Sequence, residues 1–181
     1  MKHRLPLRLG VLLGLVPLVA VAAVLLAGTS NAGGSKFFKL HGQMVNIHNT
    51  HNPDAPPPAA FFGPADPGCQ STSGVCSRFT AVGGDIRGDG LVFIDSFPNQ
   101  DSPSFSKAHT VITTKDGELR CHEAALFDLQ GADHAFVDLC VVDGGTGDFA
   151  GATGYIQEVG TFDFANNVGQ LEFYGSLTVG G

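Results

Sequence analysis

Turn-forming residues break this chain into short segments. Runs rich in Val, Phe, Thr and Leu recur, and clusters of Gly, Asp, Asn or Pro interrupt them at intervals of about ten residues, the spacing of a β-sandwich or barrel. The clearest segment is 171–179, where Leu171, Phe173, Gly175, Leu177 and Val179 alternate with Glu172, Tyr174, Ser176 and Thr178. Period-two alternation of this kind describes a strand with one buried and one polar face. Seven further strands are predicted at Phe37–Ile47, Arg78–Val82, Leu91–Phe97, Ser106–Thr114, Leu119–Leu129, His134–Val142 and Tyr155–Phe164. Glu123–Leu129 also carries helix-favouring Glu, Ala and Leu, and is read as strand. About eight strands close into a barrel that leaves no exposed edge and is filled by side chains or holds one small ligand. The predicted fold is therefore all-β, an eight-stranded antiparallel barrel.

Lys2, Arg4 and Arg8 precede an apolar stretch, 9–27, that gives way to Ser30, Asn31 and Ala32. This is the layout of a signal peptide, 1–32, followed by one domain, 33–181. The alternative is an uncleaved membrane anchor through 9–27, since about 20 apolar residues span a bilayer. Loss of 32 residues from the 181 leaves 149, with seven Lys and Arg against 17 Asp and Glu. That excess of negative charge disfavours nucleic acid and anionic membrane surfaces as partners. Six prolines, Pro53, Pro56, Pro57, Pro58, Pro64 and Pro67, make the region of about 50–77 a long loop.

All four cysteines, Cys69, Cys76, Cys121 and Cys140, follow the export signal, where an oxidising compartment lets them pair. No CxxC spacing supports a zinc site. Cys69 and Cys76 are expected to staple the end of the Pro-rich loop. A two-residue hairpin turn at Gln130-Gly131 would set Cys121 opposite Cys140. It would also set Glu123 opposite Asp138, where like charges are costly unless one is protonated or both are solvated. Facing inward, these two would share a proton and make a general acid; facing outward, they would be ordinary surface acids. The other face of the later strand, Ala135, Val137, Leu139 and Val141, has no polar break, so it is assigned to the interior. Arg120, His122 and Leu126 then point to the lumen and the carboxylates to solvent.

The segment 143–155 contains G-x-G-x-x-A at Gly145, Gly147 and Ala150, but the residues that follow alternate as strands, where a dinucleotide site needs a helix. No Lys-Ser or Lys-Thr follows to make a phosphate loop. Gly144, Gly145, Gly147, Gly151 and Gly154 instead suit a tight backbone turn between strands, against which Phe149 and Tyr155 would pack. His48 and His51 are weak metal-ligand candidates, with nothing to gather further ligands. No G-x-S-x-G supports a hydrolase.

Gly144–Ala152 (GGTGDFAGA) resembles the GGTGxFxGA signature of dirigent proteins and, with small changes, of plant allene oxide cyclases, and Gly88–Asp95 (GDGLVFID) is similar to the cyclases' GDLVPFTN. The resemblance implies an eight-stranded barrel, in dimers or trimers, with a hydrophobic pocket for a small apolar or phenolic molecule whose cyclisation, isomerisation or coupling it directs without a cofactor. Bacterial relatives include cyclases of polyketide-type products. Asp95 falls where the cyclases hold a bound water with asparagine, so Phe93, Asp95 and Leu126 are candidate ligand contacts. Asp85, Arg87, Asp95, Arg120 and His122 are stand-ins for the pocket Asp and Arg of dirigent proteins. Candidate catalytic residues are thus Asp95, Arg120, His122, Glu123 and Asp138. The first strand lacks the cyclases' glutamate and Ser106–Thr114 lacks their cysteine, departures that point away from allene oxide cyclase activity itself. The rival class is a non-catalytic carrier or scaffold barrel, its lumen filled by some of the 14 Phe.

Overall fold

The computed structural model describes residues 35–55, 63–84, 86–99, 103–130 and 134–180. The predicted signal and anchor segments lie outside the described residues, among which no helix is long and apolar enough to cross a membrane. Eight strands form: β1 Lys36–His51, β2 Val75–Val82, β3 Gly88–Asn99, β4 Ser104–Thr114, β5 Gly117–Phe127, β6 His134–Gly145, β7 Thr153–Asp163 and β8 Val168–Val179. Each pairs antiparallel with its sequence neighbours, and β8 returns to β1, so the sheet closes into an up-and-down barrel. The stretch with helix-favouring composition is the second half of β5.

Alternation decides the core. From β1 inward come Leu40, Met44 and Ile47; from β4, Ile112; from β5, Leu119 and Cys121; from β7, Ile156; from β8, Leu171, Phe173 and Leu177. Inward glycines make room for the largest of these rings. A Cβ on Gly90 would lie 2.0 Å from the tip of the buried Phe79 ring, so β3 can pass over Phe79 only without a side chain.

The hairpin between β5 and β6 differs from the expected two-residue turn. Phe127 pairs with Phe136, Leu126 with Val137 and Glu123 with Cys140, and the strands end at Phe127 and resume at His134. The register is displaced by two residues, which changes cross-strand partners but leaves each side chain on the same face. Cys121 and Cys140 are therefore diagonal neighbours and still form a disulfide, with Cα atoms 5.5 Å apart; Cys69 and Cys76 form the second, at 5.7 Å.

The face assignment of β6 is reversed. Phe136, Asp138, Cys140 and Val142 are buried, while Val137, Leu139 and Val141 are 45%, 46% and 51% exposed. The buried disulfide explains this: Cys140 and Cys121 must share the interior face, and strict alternation carries Asp138 and Glu123 in with them.

Between β1 and β2 the chain is tied down at its far end. Asp66 takes two hydrogen bonds from the Arg78 guanidinium, at 2.5 and 2.9 Å, one from the Gly68 amide and one from the Thr50 hydroxyl. The Cys69–Cys76 bridge lies beside this pair. A Gly90→Val substitution should lower stability by about 1–3 kcal/mol through overpacking against Phe79; a denaturant melt with an unchanged midpoint would contradict this role for Gly90.

Candidate functional site

The lumen has two parts. Toward the turns that join β2 to β3, β4 to β5 and β6 to β7 it is packed solid by Leu40, Ile112, Leu119, Val142, Ile156 and Leu177. Toward the opposite end a cavity of about 80 Å³ remains, room for several waters or one small organic group. The glycine segment ends the packed side: Gly147–Phe149 form one 3-10 turn, and Gly147 and Gly151 adopt φ of 57° and 68°. Phe149 packs against the core, whereas Tyr155 stands on the outer face, 48% exposed.

Three acids meet at the cavity's inner end. Glu123, Asp138 and Glu158 all line it and are 7%, 8% and 5% exposed. Asp138 faces Glu158 directly across β6 and β7, and Glu123 lies diagonal to Asp138 across β5 and β6. No basic side chain is among the described residues lining this space. The rest of the lining is apolar or weakly polar, with Phe97, Phe127, Phe136, Phe162 and Phe164 nearer the loop end of their strands. Phe127 stacks on Phe136 with ring centroids 5.3 Å apart, and Phe162 meets Phe164 at 4.8 Å. The cavity thus has an aromatic outer part and an acidic floor.

Burial drives the carboxyls toward their neutral forms. Glu123 is held well above the usual glutamate value of 4.5, first by loss of water and then by the negative charges of Asp138 and Glu158. Glu158 is raised well above it too, by burial and then by Asp138. Asp138 is raised by burial, but the neighbouring Glu123 carboxyl and the Leu139 and Ala124 backbone favour its ionised form. Of the three, Asp138 has the surroundings that most favour the ionised form. Two buried atoms here, Asp138 Oδ1 and Thr110 Oγ1, have no hydrogen-bond partner; the Thr110 hydroxyl is near enough to Glu123 to favour ionisation without making a bond of normal geometry.

The remaining sequence candidates are elsewhere. Leu126 is on the outer face, 45% exposed. Arg120 pairs outside with Glu118 at 2.8 Å. Asp95 accepts from or pairs with His109 Nδ1 at 3.0 Å, and Phe93 stacks on that imidazole at 4.7 Å. His122, the cross-strand neighbour of His109, pairs with Asp143 at 2.9 Å. Asp95, Phe93 and His122 therefore share a row on the barrel exterior, while Glu123 and Asp138 meet inside. Arg87 is exposed, and Asp85 lies outside the described residues. His48 and His51 each bond a backbone carbonyl, of Asn46 and Gly63. Among the described residues, ligating atoms converge only at Cys121, Glu123 and Cys140, and there both sulfurs are spent in the disulfide, so they are not thiolate ligands.

Glu158 was not among the candidates. Its signal is the alternation of Ile156, Glu158 and Phe162 on one face of β7, a charged residue set in an otherwise apolar row.

No family model and no curated protein matches the sequence. Among solved structures, the chain is similar to a pterocarpan synthase dirigent protein, at 14% identity and a TM-score of 0.36, over 83% of this chain and 88% of that one.

The raised carboxyls set the sign of the pH dependence. A glutamate whose folded value exceeds its unfolded one binds more protons folded than unfolded, so its contribution to stability is complete below about 4.5 and is lost as pH rises toward the folded value. Each such group contributes a slope of at most about 1.4 kcal/mol per pH unit. Asp66, lowered chiefly by its bond to Arg78, acts oppositely, and its contribution is lost only as pH falls below about 3.8. Melting midpoints should therefore fall as pH rises above about 4.5, and the decline should flatten in Glu123→Gln/Glu158→Gln. A flat wild-type profile would mean that these acids are solvated.

Proposed function

We propose that the barrel takes a small, largely apolar molecule into its lumen and directs its cyclisation or isomerisation by general-acid catalysis from Glu123 and Glu158. The observation that carries this is the meeting of three buried carboxyls, with no basic partner among the described lining residues, at the end of an apolar cavity. Such groups keep their protons at pH values where exposed glutamates have lost theirs, which suits them to donate. The carboxyl gives its proton to a carbonyl, epoxide or alkene; the bonds reorganise while the walls hold one conformer; the product returns a proton to the carboxylate. Nothing is consumed, and the side chains supply the chemistry without a cofactor. Confinement contributes by removing conformational freedom before the reaction. The resemblance of Gly144–Ala152 and Gly88–Asp95 to dirigent and allene oxide cyclase barrels supports the same reading and extends it to steering the stereoselective coupling of phenolic radicals that a separate one-electron oxidant generates.

Export through residues 1–32 is part of this proposal. The two disulfides support it, since such bonds persist in oxidising compartments.

The proposed assembly is a homo-oligomer. Leu126, Val137 and Val159 form a cross-strand row on the exterior, continued by Leu139, Val141 and Tyr155. An apolar patch spanning three strands of an acidic protein favours an uncharged, self-complementary partner, which a second copy of the chain provides.

Native mass spectrometry of the oxidised protein should find a small apolar molecule bound or taken up. Conversion of that molecule should fall by about 10²-fold or more in Glu123→Gln, with the molecule still bound. Uptake without any turnover would leave the carrier reading, and an empty protein that admits no small apolar probe would leave a filled scaffold. Leu139→Lys should shift the sedimentation mass toward the monomer; a monomeric wild type would refute the assembly.

A further inference from the structure

We infer that the lumen is selective for a primary or secondary ammonium group carried on a small aromatic or aliphatic body, with Asp138 as its counter-ion. This rests on the reading of the lumen as a ligand site and names the chemistry of what enters it.

Two observations beyond the cluster of acids support it. Asp138 is 8% exposed and its Oδ1 is enclosed without a hydrogen-bond partner. A buried acceptor left in that state is costly, and more so when charged. The wall nearby offers no cation to relieve it, since the described lining residues include no Lys, Arg or His. The missing complement is therefore a positively charged N–H donor. A neutral hydroxyl would satisfy the geometry but not the charge, and an anion would face three carboxyls.

The second observation is the lining between the loop end and the floor. Five Phe side chains surround that part of the cavity, two pairs of them in ring contact. Aromatic rings attract cations, more strongly when the pair is desolvated, and they pack against an apolar body. An ammonium group held in the cavity would have aromatic side chains on its outer side and the three acids at the floor. The groups facing Asp138 are Glu158 from β7 and Glu123 from β5, so a single positive charge neutralises the floor when both glutamates hold protons. Ser104 and Ser106 from β4, with Asn49 and Ser77 from β1 and β2, complete the described polar lining without adding charge.

Calorimetric titration of the oxidised wild-type protein with benzylamine, benzyl alcohol and benzyltrimethylammonium tests the inference. Benzylamine should bind at least about tenfold more tightly than benzyl alcohol, and more tightly than the trimethylated cation, which has no N–H. Asp138→Asn should bring benzylamine and benzyl alcohol within about threefold of each other. Ala125→Leu, which puts bulk into the cavity, should weaken both and so separate lumen binding from attraction to the acidic exterior. Equal binding of amine and alcohol by the wild type overturns the inference while leaving the lumen a ligand site. A benzylamine preference that survives Ala125→Leu overturns it as an exterior effect. Failure of all three compounds to bind removes the ligand-site reading itself, and the inference with it.

Discussion

Closure of the sheet is the constraint on which everything else in this protein depends. Once β8 pairs with β1, every strand has one face that cannot see solvent, and alternation allows no side chain on that face to escape. A polar residue in the inward register is buried whether or not it has partners. Glu123, Asp138 and Glu158 occupy such positions on three consecutive strands. An open sheet could splay these strands apart to hydrate the acids. The barrel cannot, and burial pushes all three carboxyls toward their neutral forms.

The Cys121–Cys140 bridge enforces the same geometry from within. It joins the two strands that carry Glu123 and Asp138, from the residues two before and two after them. Even spacing keeps cysteines and acids on one face, so the bond that locks the register also locks the acids inward. An interior formed by hydrophobic burial alone would favour the opposite assignment, because Val137, Leu139 and Val141 are the more apolar face of β6. The covalent link and the inward alternation of the other strands outweigh that local preference. The displaced apolar face is consequently presented outside, as the exposed row of Val137, Leu139 and Val141.

All eight strands were legible in the sequence because turn residues punctuate them and alternation is strong. The disulfide pairing was legible as well. The carboxylate pair was recognisable as a like-charge contact, and a two-residue error in register did not disturb it because parity was preserved. The side of the sheet was misread from a single strand's hydrophobicity. Cys140, two residues from Asp138, held the better signal, since a cystine is among the most buried of side chains. Glu158 was harder to find: its contact with Asp138 is set by the β6–β7 register, which passes through the glycine turn. The exterior positions of Phe93, Asp95, Arg120, His122 and Leu126 follow from the same parity that brought the acids inside.

The most recognisable stretch of sequence lies at one end of the barrel, whereas the three buried acids lie at mid-strand. Gly144–Ala152 ends the packed half, where positive φ and close backbone approach restrict what can be placed. The acids lie beyond the core layer, on strand positions that tolerate many side chains sterically. A resemblance carried by the glycine turn therefore speaks to how the strands are joined, and chemistry must be read from the lumen. Three buried carboxyls are costly to a fold that needs none of them for packing. Apolar residues of similar size would fill the same positions and remove that cost, and it is this otherwise uncompensated burial that the proposed chemistry accounts for.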